Sequence, residues 1–328
     1  MKQKTTLAKS IDIGEYKAQY DAACKKVLAE KIILAWIMKH TMKEYEDYDV
    51  KEIMEKFILG EPQIAKVSVL PDETNLPKIA GVGVEDCSLT EGSITYDIQF
   101  RTLVPNTKEI VQMIINVEAQ DDFYPGYPLI KRGIYYCARM ISSQYGTVFT
   151  KSHYEKIQKV YSVWICMNPP KKRNHTITKY FFAEENCVGN VKENKNNYDL
   201  ITAIMVCLGK WNDDSENEML GLLSVLLSSD ISAEKKKELM ENVYDIPMTE
   251  QIEGEVEDMC NLSDGVERKG IEKGIEQGRL NTLCSLVYDH LLSIEEAAKR
   301  AELSVEEFVT KFNHYKNNQK ELSVNNNP

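Results

Sequence analysis

Two acidic residues on a predicted β-hairpin have the residue types and spacing of a metal site. Two β-type runs, 94–104 and 109–120, flank a Pro-Asn-Thr turn. If the runs fold back on this turn, paired residue numbers sum to about 213 for a four-residue loop or about 215 for a two-residue loop. Asp97 then lies opposite Asn116 or Glu118, respectively. In either register Asp97 and Glu118 share one face of the hairpin, because strand side chains alternate.

Carboxylates that face each other across a hairpin repel, and a divalent cation would remove that conflict. Mg²⁺ or Mn²⁺ is held by one or two carboxylates with waters and substrate phosphates, so Asp97 and Glu118 are the predicted ligands. The backbone carbonyl of Ala119 could add a further oxygen, and Gln120 could orient an attacking water. The alternative is a solvent-facing acidic pair, since antiparallel hairpins often have one wet face.

The elements around the hairpin predict an α/β fold with a mixed sheet. Apolar periodicity predicts one long helix over Tyr16–Lys39 and a shorter amphipathic segment over Val50–Leu59, which Gly60 and Pro62 end. A strand over Ile64–Leu70 and a loop over Thr74–Gly92 follow. Beyond the hairpin, the pattern predicts a helix and two further strands, at Pro128–Ser143, Lys159–Met167 and Thr176–Ala183.

The helix Pro128–Ser143 is predicted to bury one stripe and to present a basic, aromatic face. The expected buried positions are Ile130, Ile134, Cys137 and Ile141. The expected outward positions are Lys131, Arg132, Tyr135, Tyr136 and Arg139.

The C-terminal part is predicted to be helical and acidic. Leu200–Leu208 fits a strand or a helix, and the later segments, Glu216–Ser228, Ala233–Tyr244 and the stretch past Pro247, look helical. Three glycines four residues apart (270, 274 and 278) imply a tether or an oligomer helix. Two Ser-x-x-Glu capping boxes, at Ser293 and Ser304, bracket a helical hairpin at Ile294–Phe312. We expect this hairpin to serve self-association, so a homo-oligomer through the C-terminal helices is predicted, with a frayed end at Asn325–Pro328.

Charge is distributed unevenly along the chain. The net charge is −11, yet residues 129–182 contain ten Lys or Arg and one acid, Glu155. A basic middle in an acidic chain fits a localised phosphate-binding face, and equally fits a solvated surface without a partner.

The remaining composition favours a protein of the cytoplasm. The sequence shows neither a secretory signal nor an apolar stretch long enough to cross a membrane. Eight cysteines lack any Cys-x-x-Cys pair, so we expect free thiols in a reducing compartment and exclude structural zinc.

The order of elements and several linked stretches resemble the PD-(D/E)XK nuclease superfamily. Within it, the chain is similar to the PD-(D/E)XK nuclease family transposases, relatives of recombination-promoting nucleases. The stretches that carry the resemblance are Tyr96–Arg101, Ile115–Gln120, Asp122–Pro128, Arg132–Tyr136 and, upstream, Val82–Asp86. The likeness covers roughly Tyr16–Ala183, and the glycine-punctuated, charged tail is similar in style.

The resemblance implies a metal-dependent DNA endonuclease with a restriction-endonuclease-like core. Asp97 corresponds to the first-motif aspartate and Glu118 to the metal-binding acid, while Gln120 replaces the usual lysine. A neutral amide can orient water but supplies no positive charge, and losing one such contact costs about 3–4 kcal/mol in the transition state. Lys25, or Arg132 and Lys131, could supply that charge.

Further site residues follow from the same resemblance and from chemistry. Glu85 is a candidate further metal ligand, although a solvated loop position is the simpler interpretation. The candidate DNA contacts combine aromatic stacking with phosphate binding and are Tyr124, Tyr127, Lys131, Arg132 and Arg139.

The sequence therefore predicts a Mg²⁺-dependent endodeoxyribonuclease associated with recombination or transposition. The alternative is a catalytically weak or inactive DNA-binding or assembly protein of the same fold. The predicted organisation is a nuclease-like core at 16–183, a mixed or helical extension at 184–247, an acidic helical tail at 248–315 and a disordered end at 316–328.

Overall fold

The computed structural model describes most of the chain and divides into two compact units. The described backbone covers residues 6–64, 85–88, 92–95, 97–107, 109–118, 123, 126–210 and 217–325. Side chains are described at these positions except 6–16, 85–88, 92–95, 112–118, 264, 266, 267, 269, 272, 273 and 318–325. One unit comprises Glu15–Ser263, and the other comprises Met1–Gly14 with Asp264–Pro328.

The larger unit is built on a six-stranded mixed sheet, which confirms the predicted α/β class. Its strands, in spatial order, are β1 (Ile58–Ile64), β4 (Ile98–Leu103), β5 (Ile110–Glu118), β6 (Val160–Cys166), β8 (Ile201–Cys207) and β7 (Thr176–Phe181). Strands β5, β6 and β8 are parallel, whereas β4 and β7 run antiparallel to their neighbours. The short strands β2 (Glu85–Ser88) and β3 (Gly92–Thr95) form a separate antiparallel pair. The segment 200–208, which fitted a strand or a helix in the sequence, contains the interior strand β8.

The α-helices of the described residues are, in order, α1 (Thr6–Leu28), α2 (Lys31–Thr41), α3 (Val50–Glu52), α4 (Leu129–Ser143), α5 (Glu218–Leu227), α6 (Ala233–Asn242), α7 (Glu250–Tyr288), α8 (Ile294–Ala301) and α9 (Val305–Asn325). Within the described residues, none of these helices is long and apolar enough to cross a membrane.

The central hairpin adopts the four-residue-loop register. Its pairs run from Ile98↔Ile115 to Leu103↔Ile110, so paired numbers sum to 213. The Val104 N–H donates to the Glu109 carbonyl at 2.9 Å, which closes the loop. The predicted first strand, 94–104, is divided between β3 and β4, and Asp97 lies in the bend just before β4. Continuing the same register places Asp97 opposite Asn116.

The single helix predicted over Tyr16–Lys39 is wrong, because the chain turns between α1 and α2. Glu30 adopts an extended conformation, with φ −59° and ψ 128°. Helix α2 is buried on nearly every side from Ile32 to Met38. The change of direction lets α2 enter the core, and no Pro or Gly marks it in the sequence.

The prediction that Gly60 and Pro62 end a helix is also wrong. Residues 53–57 form one π-helical turn, and Gly60 and Pro62 then lie within β1. The register of β1 against β4 shifts between Leu59 and Gln63, and Gly60 has φ 66°. An irregular outer strand tolerates both residue types, because proline lacks a ladder donor and glycine adopts positive φ freely.

The loop predicted over Thr74–Gly92 is incorrect at its end, where β2 and the first residue of β3 are paired strand. Isolated four-residue strands carry too few side chains to show alternation. The predicted strand Ile64–Leu70 lies outside the described residues except for Ile64, the last residue of β1.

Two apolar layers cover the sheet. On one face, α2 and α5 pack against Val163, Ile165 and neighbouring positions. On the other face, α4 packs against Trp164 and Cys166. The alternation along β6 explains why all seven of its residues are buried.

Helix α4 occurs where it was predicted, but its predicted buried stripe is rotated. Ile134 is 48% exposed, whereas Tyr136 and Arg139, both expected outside, are buried. The sheet-facing residues include Gly133, where an added Cβ would lie 2.9 Å from the Trp164 Nε1 atom. Because Gly133 lacks a Cβ, the backbone of α4 can approach the Trp164 indole closely, so the Gly133 side of the helix faces the sheet.

In the unit that contains residues 264–328, the end of α7 packs with α8 and α9 around Phe308. The capping box at Ser304 is confirmed, because Ser304 and Glu307 bond reciprocally at 3.0 and 3.2 Å. At Ser293 the N-cap bond is present, with the Oγ accepting from the Glu296 N–H at 3.2 Å, while the Glu296 carboxylate accepts from Arg300 Nε at 2.9 Å. Helix α9 continues to Asn325, past the position where the disordered end was expected to begin.

Candidate functional site

Asp97 is held by a lysine from the first helix. The Lys25 Nζ atom lies 2.9 Å from Asp97 Oδ1 and 2.5 Å from Asp21 Oδ2. Asp21 and Lys25 are one helical turn apart on α1, so they present both charges to the same point. The Lys25 side chain is 11% exposed, and the two carboxylates are 29% and 21% exposed. The result is a partly buried carboxylate–ammonium–carboxylate cluster at the start of β4.

The electrostatics keep this lysine charged. Burial disfavours the ammonium, but the nearby Asp97 and Asp21 carboxylates outweigh it and hold the pKa of Lys25 above its usual value. Burial raises the pKa of Asp21, and Lys25 opposes that rise. Lys25 is therefore a fixed positive charge at neutral pH.

The rest of the predicted metal site is only partly within the described chain. Glu118 ends β5 opposite Cys166 of β6, two residues beyond the position facing Asp97, and its side chain is outside the description. Ala119 and Gln120 also lie outside the described residues. Among described side chains, no group of three or more His, Cys, Asp or Glu residues could hold a metal ion. Asp97 and Glu118 fit Mg²⁺ by donor type, and Lys25 already supplies one positive charge to Asp97.

Arg132 forms the second basic element of the region. Its Nε and Nη2 atoms donate to the Tyr136 hydroxyl at 3.0 and 2.8 Å, and Nη1 lies 3.5 Å from the Tyr127 hydroxyl. The guanidinium also stacks over the Tyr136 and Trp164 rings, at 5.1 and 5.3 Å from their centroids. Burial, opposed by Arg132 and reinforced by the charge of Asp97, raises the pKa of Tyr136.

The other residues predicted to contact DNA differ in their exposure to solvent. Lys131 is exposed and Tyr127 is 42% exposed. Arg139 is only 3% exposed and donates to the Tyr135 hydroxyl at 3.3 Å, so its burial removes it from the candidate phosphate contacts. Tyr124 and the side chain of Glu85 lie outside the described residues.

The basic segment 129–182 also contains a lysine that serves the fold. The Lys159 Nζ lies 3.0 Å from Glu44 Oε1 and 2.9 Å from Asp199 Oδ2, with 16% of the side chain exposed. The Tyr161 hydroxyl donates to the same Glu44 carboxylate at 2.8 Å. Lys159 is thus committed to an internal network and adds little to a phosphate-binding face.

Sequence reasoning missed a thiol pair next to the candidate ligand. The register aligns Glu118, Cys166, Cys207 and Thr176 across four neighbouring strands. A hydrogen bond with Cys166, against the effect of burial, lowers the pKa of Cys207 to about 7, and Thr176 and Arg173 add to the shift. The two cysteines are 41 residues apart in sequence, so only the strand order could have revealed the pair.

No protein-family model, curated protein or solved structure matches the chain. A functional assignment therefore rests on the geometry of the chain's own residues and on the motif resemblance.

Proposed function

We propose that the protein is a metal-dependent DNA endonuclease with a PD-(D/E)XK-type core, associated with recombination or transposition. The observation that carries the proposal is the contact between Lys25 and Asp97. In the superfamily, the residue two positions after the metal-binding acid is usually lysine, and here it is Gln120. Lys25 would restore a positive charge beside the first-motif aspartate from a different element of the fold.

The assigned roles follow from the chemistry of each group. Asp97 and Glu118 would hold Mg²⁺ or Mn²⁺ with the Ala119 carbonyl, and Glu85 stays a candidate further ligand. When bound, such an ion activates water and neutralises charge that develops on the phosphate. Gln120 would orient the attacking water.

The positively charged side chains would act on the substrate rather than on the water. Lys25 would stabilise negative charge on the phosphoryl oxygens as the bond to the leaving oxygen breaks. Lys131 is exposed, and Arg132 is held by tyrosine hydroxyls, so both suit contacts to flanking phosphates. The association with recombination or transposition is supported by the motif resemblance alone and implies no strand-transfer chemistry.

The same contact also supports a second candidate, a catalytically weak or inactive DNA-binding or assembly protein. Lys25 already offsets the charge of Asp97, which reduces the electrostatic need for a metal ion there. The proposal also includes self-association through the C-terminal helices. A cytoplasmic location is supported by free thiols at the cysteines whose side chains are described.

Plasmid nicking by the purified protein with Mg²⁺, Mn²⁺ or EDTA tests the leading proposal. We expect metal-dependent cleavage that Asp97→Ala and Glu118→Ala abolish. Glu109→Ala is the matched control, because Glu109 is an exposed acid at the other end of the same hairpin. Cleavage that survives both ligand substitutions would contradict the assignment, and DNA binding without any cleavage would favour the second candidate.

The role of Lys25 is tested by Lys25→Met beside Lys26→Met, since Lys26 is the exposed neighbour on the same helix. We expect Lys25→Met to lower the cleavage rate by about 10²–10³-fold, the loss typical of one charge-stabilising donor. Lys26→Met should leave the rate unchanged. Equal rates for the two variants would refute the assigned role.

A further inference from the structure

The segment between α4 and β6 is a closed loop held by one buried glutamine. The Gln144 Oε1 atom accepts from the Gln158 N–H at 2.8 Å, and Gln144 Nε2 donates to the Gln158 carbonyl at 2.9 Å. Gln144 is fully buried, and its own carbonyl accepts from the Val148 N–H at 2.8 Å. Compact loops packed by their own side chains frequently carry function. We call residues 145–157 the tyrosine loop.

Three aromatic rings form a row on this loop. Phe149 is 7% exposed, and its ring centroid lies 5.5 Å from that of Tyr145 and 5.8 Å from that of Tyr154. The two outer rings are 62% and 65% exposed. A buried ring therefore braces two exposed rings, which reduces the rotamer entropy that a stacking ligand would otherwise have to remove.

The charge of the loop favours an anionic ligand. Lys151 and Lys156 are exposed. The acid of the loop, Glu155, has its Oε1 atom 3.0 Å from His153 Nδ1. Exposed aromatic faces beside lysines match a ligand that offers both π-faces and phosphates. Single-stranded nucleic acid has both, whereas a duplex keeps its base faces stacked together.

The position of the loop also suits a strand that reaches the candidate site. Tyr145 follows the C-terminal end of α4, and Arg132 lies near the N-terminal end. The rise of a helix separates them by about 20 Å. A short stretch of single strand can therefore extend from the loop to Arg132.

We propose that the tyrosine loop is a binding site for single-stranded DNA, with Tyr145 and Tyr154 as stacking platforms. The choice of DNA rests on the proposed function, but binding at the loop requires no cleavage.

Fluorescence anisotropy with a labelled oligothymidine of about 12 nucleotides tests the proposal, beside a duplex of the same length. We expect Tyr145→Ala and Tyr154→Ala each to raise the Kd for the single strand by about 5–100-fold, with duplex binding unchanged. Tyr145→Phe and Tyr154→Phe should retain affinity, because phenylalanine keeps the stacking face. Tyr288→Ala is the control, since Tyr288 is 50% exposed and lies outside the loop.

Three results would overturn the site: no binding of the single strand at low salt, equal affinity of the alanine variants and the wild type, or equal losses for duplex and single strand. Failure of the nuclease proposal is distinguishable, because a protein that never nicks plasmid can still lose single-strand binding through the tyrosine substitutions. Circular dichroism of each variant confirms that the fold is intact.

Discussion

Replacing Lys25 by methionine should destabilise the fold by an amount set by the burial of its two partners. The substitution keeps the aliphatic stem but removes the ammonium that lies between Asp21 and Asp97. Removing one partner of a fully buried ion pair costs about 3–5 kcal/mol. The side chains of Asp21 and Asp97 are 29% and 21% exposed, so water can screen part of their charge. We therefore expect a loss of about 2–3 kcal/mol at neutral pH.

Thermal and urea unfolding measure this loss. For a unit of this size each kcal/mol shifts Tm by about 2–4 °C, so the expected decrease is about 4–12 °C. Lys26→Met is the control and should be nearly neutral, because that side chain is exposed.

The loss should also depend on pH in a defined direction. Lys25 has a folded-state pKa above its usual value, so its stabilising contribution is complete below the ordinary lysine pKa and disappears only as pH rises through the raised value. In the variant, both carboxylates lose the Lys25 ammonium, and burial already raises the pKa of Asp21. Protonation of Asp21 in acid removes its charge, so the difference from wild type should shrink as pH falls.

A double-mutant cycle with Asp21→Asn completes the argument. Neutralising Asp21 removes one of the two carboxylate charges that Lys25 contacts, so Lys25→Met should cost less in that background. A loss below about 0.5 kcal/mol, or one that is constant across the acid range, would refute the view that Lys25 is the charge partner of both carboxylates.

Three further predictions concern the rest of the fold. Lys159→Met should cost about 3 kcal/mol. Although burial opposes it, Lys159 lowers the pKa of Glu44, so the pair stabilises the fold above the ordinary glutamate pKa, and that contribution is lost as pH falls through the lowered value. The variant should therefore show a flatter acid limb in urea unfolding, and a parallel limb would contradict the network. Gly133→Ala should cost about 1–3 kcal/mol in the same assay, because the new Cβ would lie 2.9 Å from the Trp164 indole, and a neutral result would show that the contact relaxes freely. Thiolate absorbance in the far ultraviolet should titrate with a midpoint of about 7 and lose that step in Cys207→Ser; an unchanged titration would assign the step to another thiol.

Local patterns predicted the elements whose signals lie within a few residues. Counting outward from one turn limited the hairpin to two registers, one of which is observed, and the helix caps at Ser293 and Ser304 followed from a serine and a glutamate three residues apart. These features depend on backbone geometry and neighbouring side chains, which the sequence displays directly.

The features that sequence reasoning missed depend on contacts between distant elements. The side of α4 that faces the sheet depends on the contact between Gly133 and Trp164. The ion pair that buries Lys159 depends on Glu44, which is 115 residues away in the sequence. A hydrophobic period cannot show which side of a helix a sheet will cover when apolar and polar residues occur on both sides. The contact of Lys25 with Asp97 likewise depends on the packing of α1, which local patterns in the sequence do not show.

The irregularity of β1 has a consequence for the protein's behaviour in crowded solution. In the described sheet β1 and β7 are the outer strands, and an outer strand offers free backbone groups on which another chain can template. Pro62 removes a donor from β1 and the bulge bends its path, while the exposed Lys179 places a charge in the middle of β7. Both outer strands thus carry features that oppose amyloid-like stacking. A substitution that made β1 more regular could raise the free energy of unfolding and still make the protein more prone to aggregate.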